Sequence, residues 1–178
     1  MTDYTLQPIP GKTLSRRLPE GTALVLEGGG LRGYYSCGVM EAFMEKDLLF
    51  PYIIGVSAGA ANALSYISGQ PGRSREIIEH YVGNPDYVST RNLLTKHTMF
   101  DFDYIFGTVP EKHIFFDWDK FHEQDTRFLT GAMNCADGKT VWFEKDTLKA
   151  PFMASRASCS VPLITKIQHY MGYDLLDG

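Results

Sequence analysis

The chain has 178 residues, 44% of them hydrophobic and 21% charged, which suffices for one sizeable core and matches an ordinary globular domain. The formal net charge of −4, with Lys and Arg scattered, leaves no basic footprint, so nucleic acid is not expected as a partner. No run approaches the roughly eighteen apolar residues of a membrane span, and no apolar stretch follows a basic start, so a cytoplasmic protein is expected.

Cys37, Cys135 and Cys159 are odd in number and lack CxxC pairing. That argues against a disulfide framework and a zinc site, and the three read as reduced, mostly buried thiols. No metal is expected.

Residues 1–22, with Pro8, Pro10 and Pro19, read as an irregular lead-in, and residues 23–178 as one domain. "TALVLE" reads as a fully buried strand, followed by "GGGLRG" and then a helix. In that helix Val39, Phe43, Lys46 and Leu49 keep a loose helical rhythm, with Met40 and Met44 alongside. "YIIGVS" is a second short strand, and "AGAANALSYISG" a small-residue helix stopping at Gly69. Strand, loop and helix repeated within about fifty residues is the βαβ grammar of a parallel sheet covered by helices, so the fold class is α/β.

Further along, "SREIIEHYV" reads as a helix and "RFLTGAMNCADGKTVWFEK" as two strands around Asp137-Gly138. "APFMASRASCS" reads as helical, and "LITKIQHYMGYDLLDG" as short strands joined at Gly172. Residues 99–121 are rich in aromatic side chains and carry Asp101, Asp103, Asp117 and Asp119. Core packing is their expected role, a wall against acyl chains is the alternative, and no calcium-loop spacing is present.

Two stretches carry chemistry. "GVSAG" places Ser57 between Gly55, Val56, Ala58 and Gly59 at a strand-to-helix junction, where a hydroxyl is exposed beside the positive end of a helix and suits attack on an acyl carbon. A serine capping that helix is the plainer reading.

"GGGLRG", Gly28, Gly29, Gly30, Leu31, Arg32 and Gly33, offers bare backbone N–H groups. It also satisfies the dinucleotide pattern G-x-G-x-x-G, with Asp47 at a suitable distance for a ribose-binding acid. Asp47, however, ends the first helix, whereas the acid of such folds ends the second strand. Both glycine-bearing loops belong at the carboxyl edge of one sheet, where Gly29 and Gly30 would hold the oxyanion formed when Ser57 attacks. Arg32 either keeps the loop's shape or attracts an anionic head group.

A serine needs a base. Of His80, His97, His113, His122 and His169, only His169, near the terminal strands, stays a triad candidate, while Asp177 before Gly178 places a carboxylate at a strand end. By itself Asp-Gly is a turn signal.

In this order, "EGGGLRG", "GVSAG", "ASRASCSVP" and Asp177-Gly178 resemble the patatin-like phospholipase family. The resemblance implies a three-layer α/β/α fold with a mainly parallel central sheet. It also implies a lipid acyl hydrolase with a Ser57–Asp177 dyad, an oxyanion loop at Gly28–Gly33, no catalytic histidine and no cofactor. The family's domain runs on past this last motif, so its C-terminal part would lie beyond Gly178. The implied partner is a lipid or other ester substrate, with transient contact at a membrane surface. A nucleotide-binding oxidoreductase and a non-catalytic lipid-binding module are the alternatives.

Overall fold

The computed structural model describes residues 8–178; the first seven residues of the lead-in lie outside it. In chain order the strands are β1 (Arg16–Arg17), β2 (Ala23–Leu26), β3 (Leu48–Leu49), β4 (Tyr52–Val56), β5 (Arg127–Asn134), β6 (Thr140–Glu144), β7 (Gln168–Tyr170) and β8 (Tyr173–Asp177). The α-helices are α1 (Tyr34–Glu45), α2 (Ala58–Ile67), α3 (Arg73–His80), α4 (Thr90–Lys96), α5 (Trp118–Glu123) and α6 (Met153–Ser158). A wide π-type helix at Tyr104–His113 contains Pro110.

The α/β class holds, with a central sheet and helices packed on it. Strands β2, β4 and β5 pair in parallel, and β6, β8 and β7 continue the sheet in antiparallel pairing. Connections that step in one direction along a sheet with the usual handedness keep their helices on one face. Leu26, Ile53, Phe128, Ala132, Phe143 and Leu175 of the sheet accordingly share one core with Met40, Met44, Ala60, Ala63, Leu64 and Ala157 of the helices. On the other face Val25 is 69% and Trp142 46% exposed.

The buried stripe of α1 is Cys37, Met40 and Met44; of the expected face Met40 and Met44 are buried and Phe43 packs against the core, whereas Lys46 lies past the helix end, exposed. The described part of the lead-in, residues 8–22, is less irregular than its prolines suggest. Leu14 enters the core, and Arg16–Arg17 pairs with Leu48–Leu49. All three cysteines are free: Cys37 is buried, Cys159 half-buried and Cys135 exposed. Cys135 departs from the expected burial because it lies in the β5–β6 turn.

Strand β5 brings the terminal motif to the serine. Its residues Thr130 and Gly131 pair with Gly55 and Val56 of β4 on one side and with Phe143 and Trp142 of β6 on the other. Ala132 and Met133 pair with β6 and with Asp177 and Leu176 of β8. With β6 filling one edge, β4 and β8 share the other. Since β4 runs parallel and β8 antiparallel to β5, their carboxyl ends meet head to head, Val56 opposite Gly131 and Asp177 opposite Ala132.

Candidate active site

Ser57 follows that meeting point, with φ 54° and ψ −128°, at the N-cap position of α2, where its hydroxyl makes no capping hydrogen bond to the helix. This backbone is sparsely populated for a side-chain-bearing residue and holds the hydroxyl out of both strand and helix. The turn closes tightly because α2 rests on the end of β2: a Cβ on Gly59 would fall 2.2 Å from the Leu26 carbonyl oxygen. The glycine loop lies equally close, since a Cβ on Gly28 would stand 3.0 Å from the Ser57 Cβ.

The Ser57 hydroxyl donates to Asp177 Oδ2 at 2.8 Å. Burial pushes the Asp177 carboxyl above its ordinary value, opposed by hydrogen bonds from the Ser57 hydroxyl and the Gly178 N–H. Two further contacts come from the end of α6. The Ser57 N–H donates to Ser158 Oγ at 2.7 Å, and the Asp177 N–H donates to the Ser160 carbonyl at 2.9 Å. Ser158 and Ser160 are fully buried. Burial, with the Asp177 carboxylate nearby, pushes the Cys159 thiol between them upward.

Residues Gly30–Gly33 form a single tight turn that leads into α1. Leu31 is exposed and borders a cavity of about 230 Å³ that Ser57 and Gly30 also line. Arg32 is exposed and folds against Gly29. Aromatic residues of the 99–121 stretch divide between the two expected roles: Phe116 and Phe121 are core, whereas Phe100, Phe102 and Phe106 wall the cavity. A larger, open depression of about 920 Å³ is bordered by Ala23, Tyr52 and Arg127. It lies at the amino ends of the parallel strands, opposite Ser57, whereas open α/β sheets bind ligands at the carboxyl ends.

The remaining sequence candidates disperse. His169 is exposed and pairs with Asp174 on the sheet face away from the helices, so no triad forms with it. Asp47 accepts from the Ser15 hydroxyl at the far end of α1, away from the glycine loop. Asp101 pairs with Lys96, Asp103 with Arg156, and Asp117 caps α5. Among the described residues no group of three or more His, Cys, Asp or Glu side chains is gathered to hold a metal ion, and no helix is long and apolar enough to cross a membrane. Ser158 and Ser160 lie in "ASRASCSVP", a stretch whose pattern alone assigns neither a role. A Ser-rich helix end is the visible signal, and only the packing shows which hydroxyl meets Ser57.

Over 102 residues the chain is 33% identical to the uncharacterized protein YjjU of Escherichia coli, covering 57% of this chain and 29% of that protein. It is 40% identical over 57 residues to a patatin-like phospholipase domain-containing protein of Cryptococcus neoformans, covering 32% of this chain and 6% of that protein. The chain therefore spans a minor part of these curated relatives. In fold it is similar to VipD from Legionella pneumophila, with a TM-score of 0.55 and 13% identity, over 100% of this chain and 50% of that one. The patatin-like phospholipase family model matches residues 24–178, the stretch that holds the glycine loop, Ser57, the α6 serines and Asp177, and the chain belongs to that family.

Proposed function

We propose that this chain is a serine acyl hydrolase cleaving ester bonds of lipids, with Ser57 as nucleophile and Asp177 as its base. The supporting observation is the 2.8 Å hydrogen bond from Ser57 to Asp177 at the mouth of a cavity with apolar walls. Asp177 takes the hydroxyl proton as Ser57 Oγ bonds to the acyl carbon. Backbone N–H groups of the Gly28–Gly33 loop receive the charge that develops on the carbonyl oxygen. Collapse expels the alcohol, which leaves with the proton from Asp177. A water, deprotonated by Asp177, then attacks the acyl-serine; collapse breaks the bond to Ser57 Oγ, which takes back the proton from Asp177 as the fatty acid leaves.

A raised carboxyl is useful in such a role, because a base near the working pH balances availability against proton affinity. The dinucleotide alternative loses support from the position of Asp47, which bonds Ser15 rather than facing the glycine loop. Substrate drawn from a membrane surface fits the exposed Leu31 and Val161, which border the cavity, and Leu163 beyond them.

The test is covalent labelling with a fluorophosphonate together with turnover of p-nitrophenyl and phospholipid esters. Label on Ser57, and its loss with turnover in a folded Ser57→Ala variant, is the expected result. Turnover retained in that variant overturns the assignment. Binding of lipid without label would indicate a non-catalytic module.

A further inference from the structure

The cavity beside Ser57 is not apolar throughout. It follows α2 from Ser57 past Ala61 and Leu64 to Ser65, eight residues or about 12 Å of helix at the usual rise. At that far end stands Arg73, 5% exposed and lining the same cavity. Its guanidinium donates to Ser65 Oγ at 3.0 Å and to the carbonyls of Phe115 and Ile114 at 3.3 and 3.4 Å, and it lies over the Phe116 ring. All of these partners are neutral. Among the described residues no carboxylate forms an ion pair with it.

An arginine cannot shed its charge by ordinary titration, so burying one without a counter-ion is costly. Burial holds Arg73 at about 10, below its usual range. Three of its five N–H groups are used by the contacts above. Two tyrosines line the same cavity. The Tyr34 hydroxyl is buried with no hydrogen-bond partner, and Tyr87 lies within electrostatic reach of Arg73 and Tyr34. An orphaned buried hydroxyl and an uncompensated buried cation in the walls of one cavity, each within electrostatic reach of Tyr87, describe a site short of an acceptor. The apolar walls of this cavity include Ile77, Ile78, Phe102 and Phe106.

We infer that the cavity takes an acyl chain whose far end carries a carboxylate, seated on Arg73 and the Tyr34 hydroxyl while the ester lies at Ser57. The inference rests on the hydrolase reading above. The apolar walls dictate the body of the chain, the helix length its medium reach, and Arg73 the anionic end. Arg73 is then a specificity-determining residue in addition to holding the 114–116 segment against α2 and α3.

The experiment compares p-nitrophenyl decanoate with the mono-p-nitrophenyl ester of decanedioic acid, identical in length but for the terminal carboxylate. For the intact chain the acid-ended ester should have the lower KM by about tenfold, the ordinary worth of a charge-assisted hydrogen bond, with kcat little different. A lower KM for decanoate overturns the inference. Arg73→Met should reverse the preference. If that variant does not fold, Tyr34→Phe carries the test, since it removes a single unpartnered hydroxyl and should shrink the preference about threefold. An unchanged ratio in every folded variant overturns the inference. Should neither ester be cleaved, the hydrolase reading fails and free decanedioate decides the rest: a rise in Tm with decanedioate beyond that with decanoate supports the site, and an equal response refutes it.

Discussion

The Ser158 hydroxyl holds the backbone N–H of Ser57, while the carbonyl of Ser160, the next residue but one, holds that of Asp177. The proposed nucleophile and base are thereby fixed to one short segment. Removing the Ser158 hydroxyl leaves a buried N–H without a partner at a strained residue, so Ser158→Ala should lower kcat about tenfold with KM little changed. Stopped-flow kinetics on the acylation step check this, and an unaltered acylation rate would show that the strand geometry alone suffices. Asp177→Asn should abolish turnover because an amide cannot accept the serine proton, whereas His169→Ala, exposed and remote, should keep it. Since burial raises the Asp177 carboxyl, activity should fall on the acid side with a midpoint above the ordinary carboxylate value of about 4. A pH profile of kcat/KM reads that midpoint.

Among the elements, α2 carries the site because it can reach the sheet so closely. Its amino end sits on the carboxyl end of β2, and only a hydrogen at Gly59 fits beneath the Leu26 carbonyl, where a Cβ would come within 2.2 Å. Gly59→Ala should therefore push α2 off the strand and destabilise the fold by about 3 kcal/mol, the scale of overpacking a tight core. Denaturant unfolding measures this, and a loss under about 1 kcal/mol would mean that helix and strand separate without strain. The same closeness explains why the Gly28–Gly33 loop touches Ser57: both loops leave neighbouring parallel strands at the same end.

Across the whole molecule, stability and the proposed chemistry oppose each other at Asp177. Its carboxyl is raised in the folded state, so folding favours the protonated form. That contribution is complete below the unfolded value and is lost as pH rises through the folded one. At neutral pH the ionised group therefore weakens the fold. Asp177→Asn should melt above the parent chain at pH 7, and the gap should close at acid pH, where both side chains are neutral. Calorimetry at the two pH values tests this, and a lower Tm for the variant at pH 7 would show that the carboxylate's own hydrogen bonds outweigh its burial. An inactive but stabler variant is the expected signature of a site held at some expense to stability.

By itself the sequence determined what local chemistry can encode. The βαβ order followed from apolar runs and glycine stops, the Ser57 turn from small residues on either side of a serine, and the β5–β6 and β7–β8 hairpins from Asp137-Gly138 and Gly172. Ser57 and the glycine loop were legible because each is a contiguous motif. Asp177 was legible only with the family resemblance, since Asp-Gly alone marks a turn. Tertiary structure decided the pairings that join distant positions. That β8 runs against β5 and ends where β4 ends is a matter of strand register, which no local pattern specifies, and it brings residues 57 and 177 within hydrogen-bond reach. The roles of Ser158 and Ser160, the one-sided placement of the helices and the burial of Arg73 at the cavity's far end likewise depend on which faces meet. Composition counts hydroxyls and charges, whereas packing alone determines which of them lose water and which find a partner.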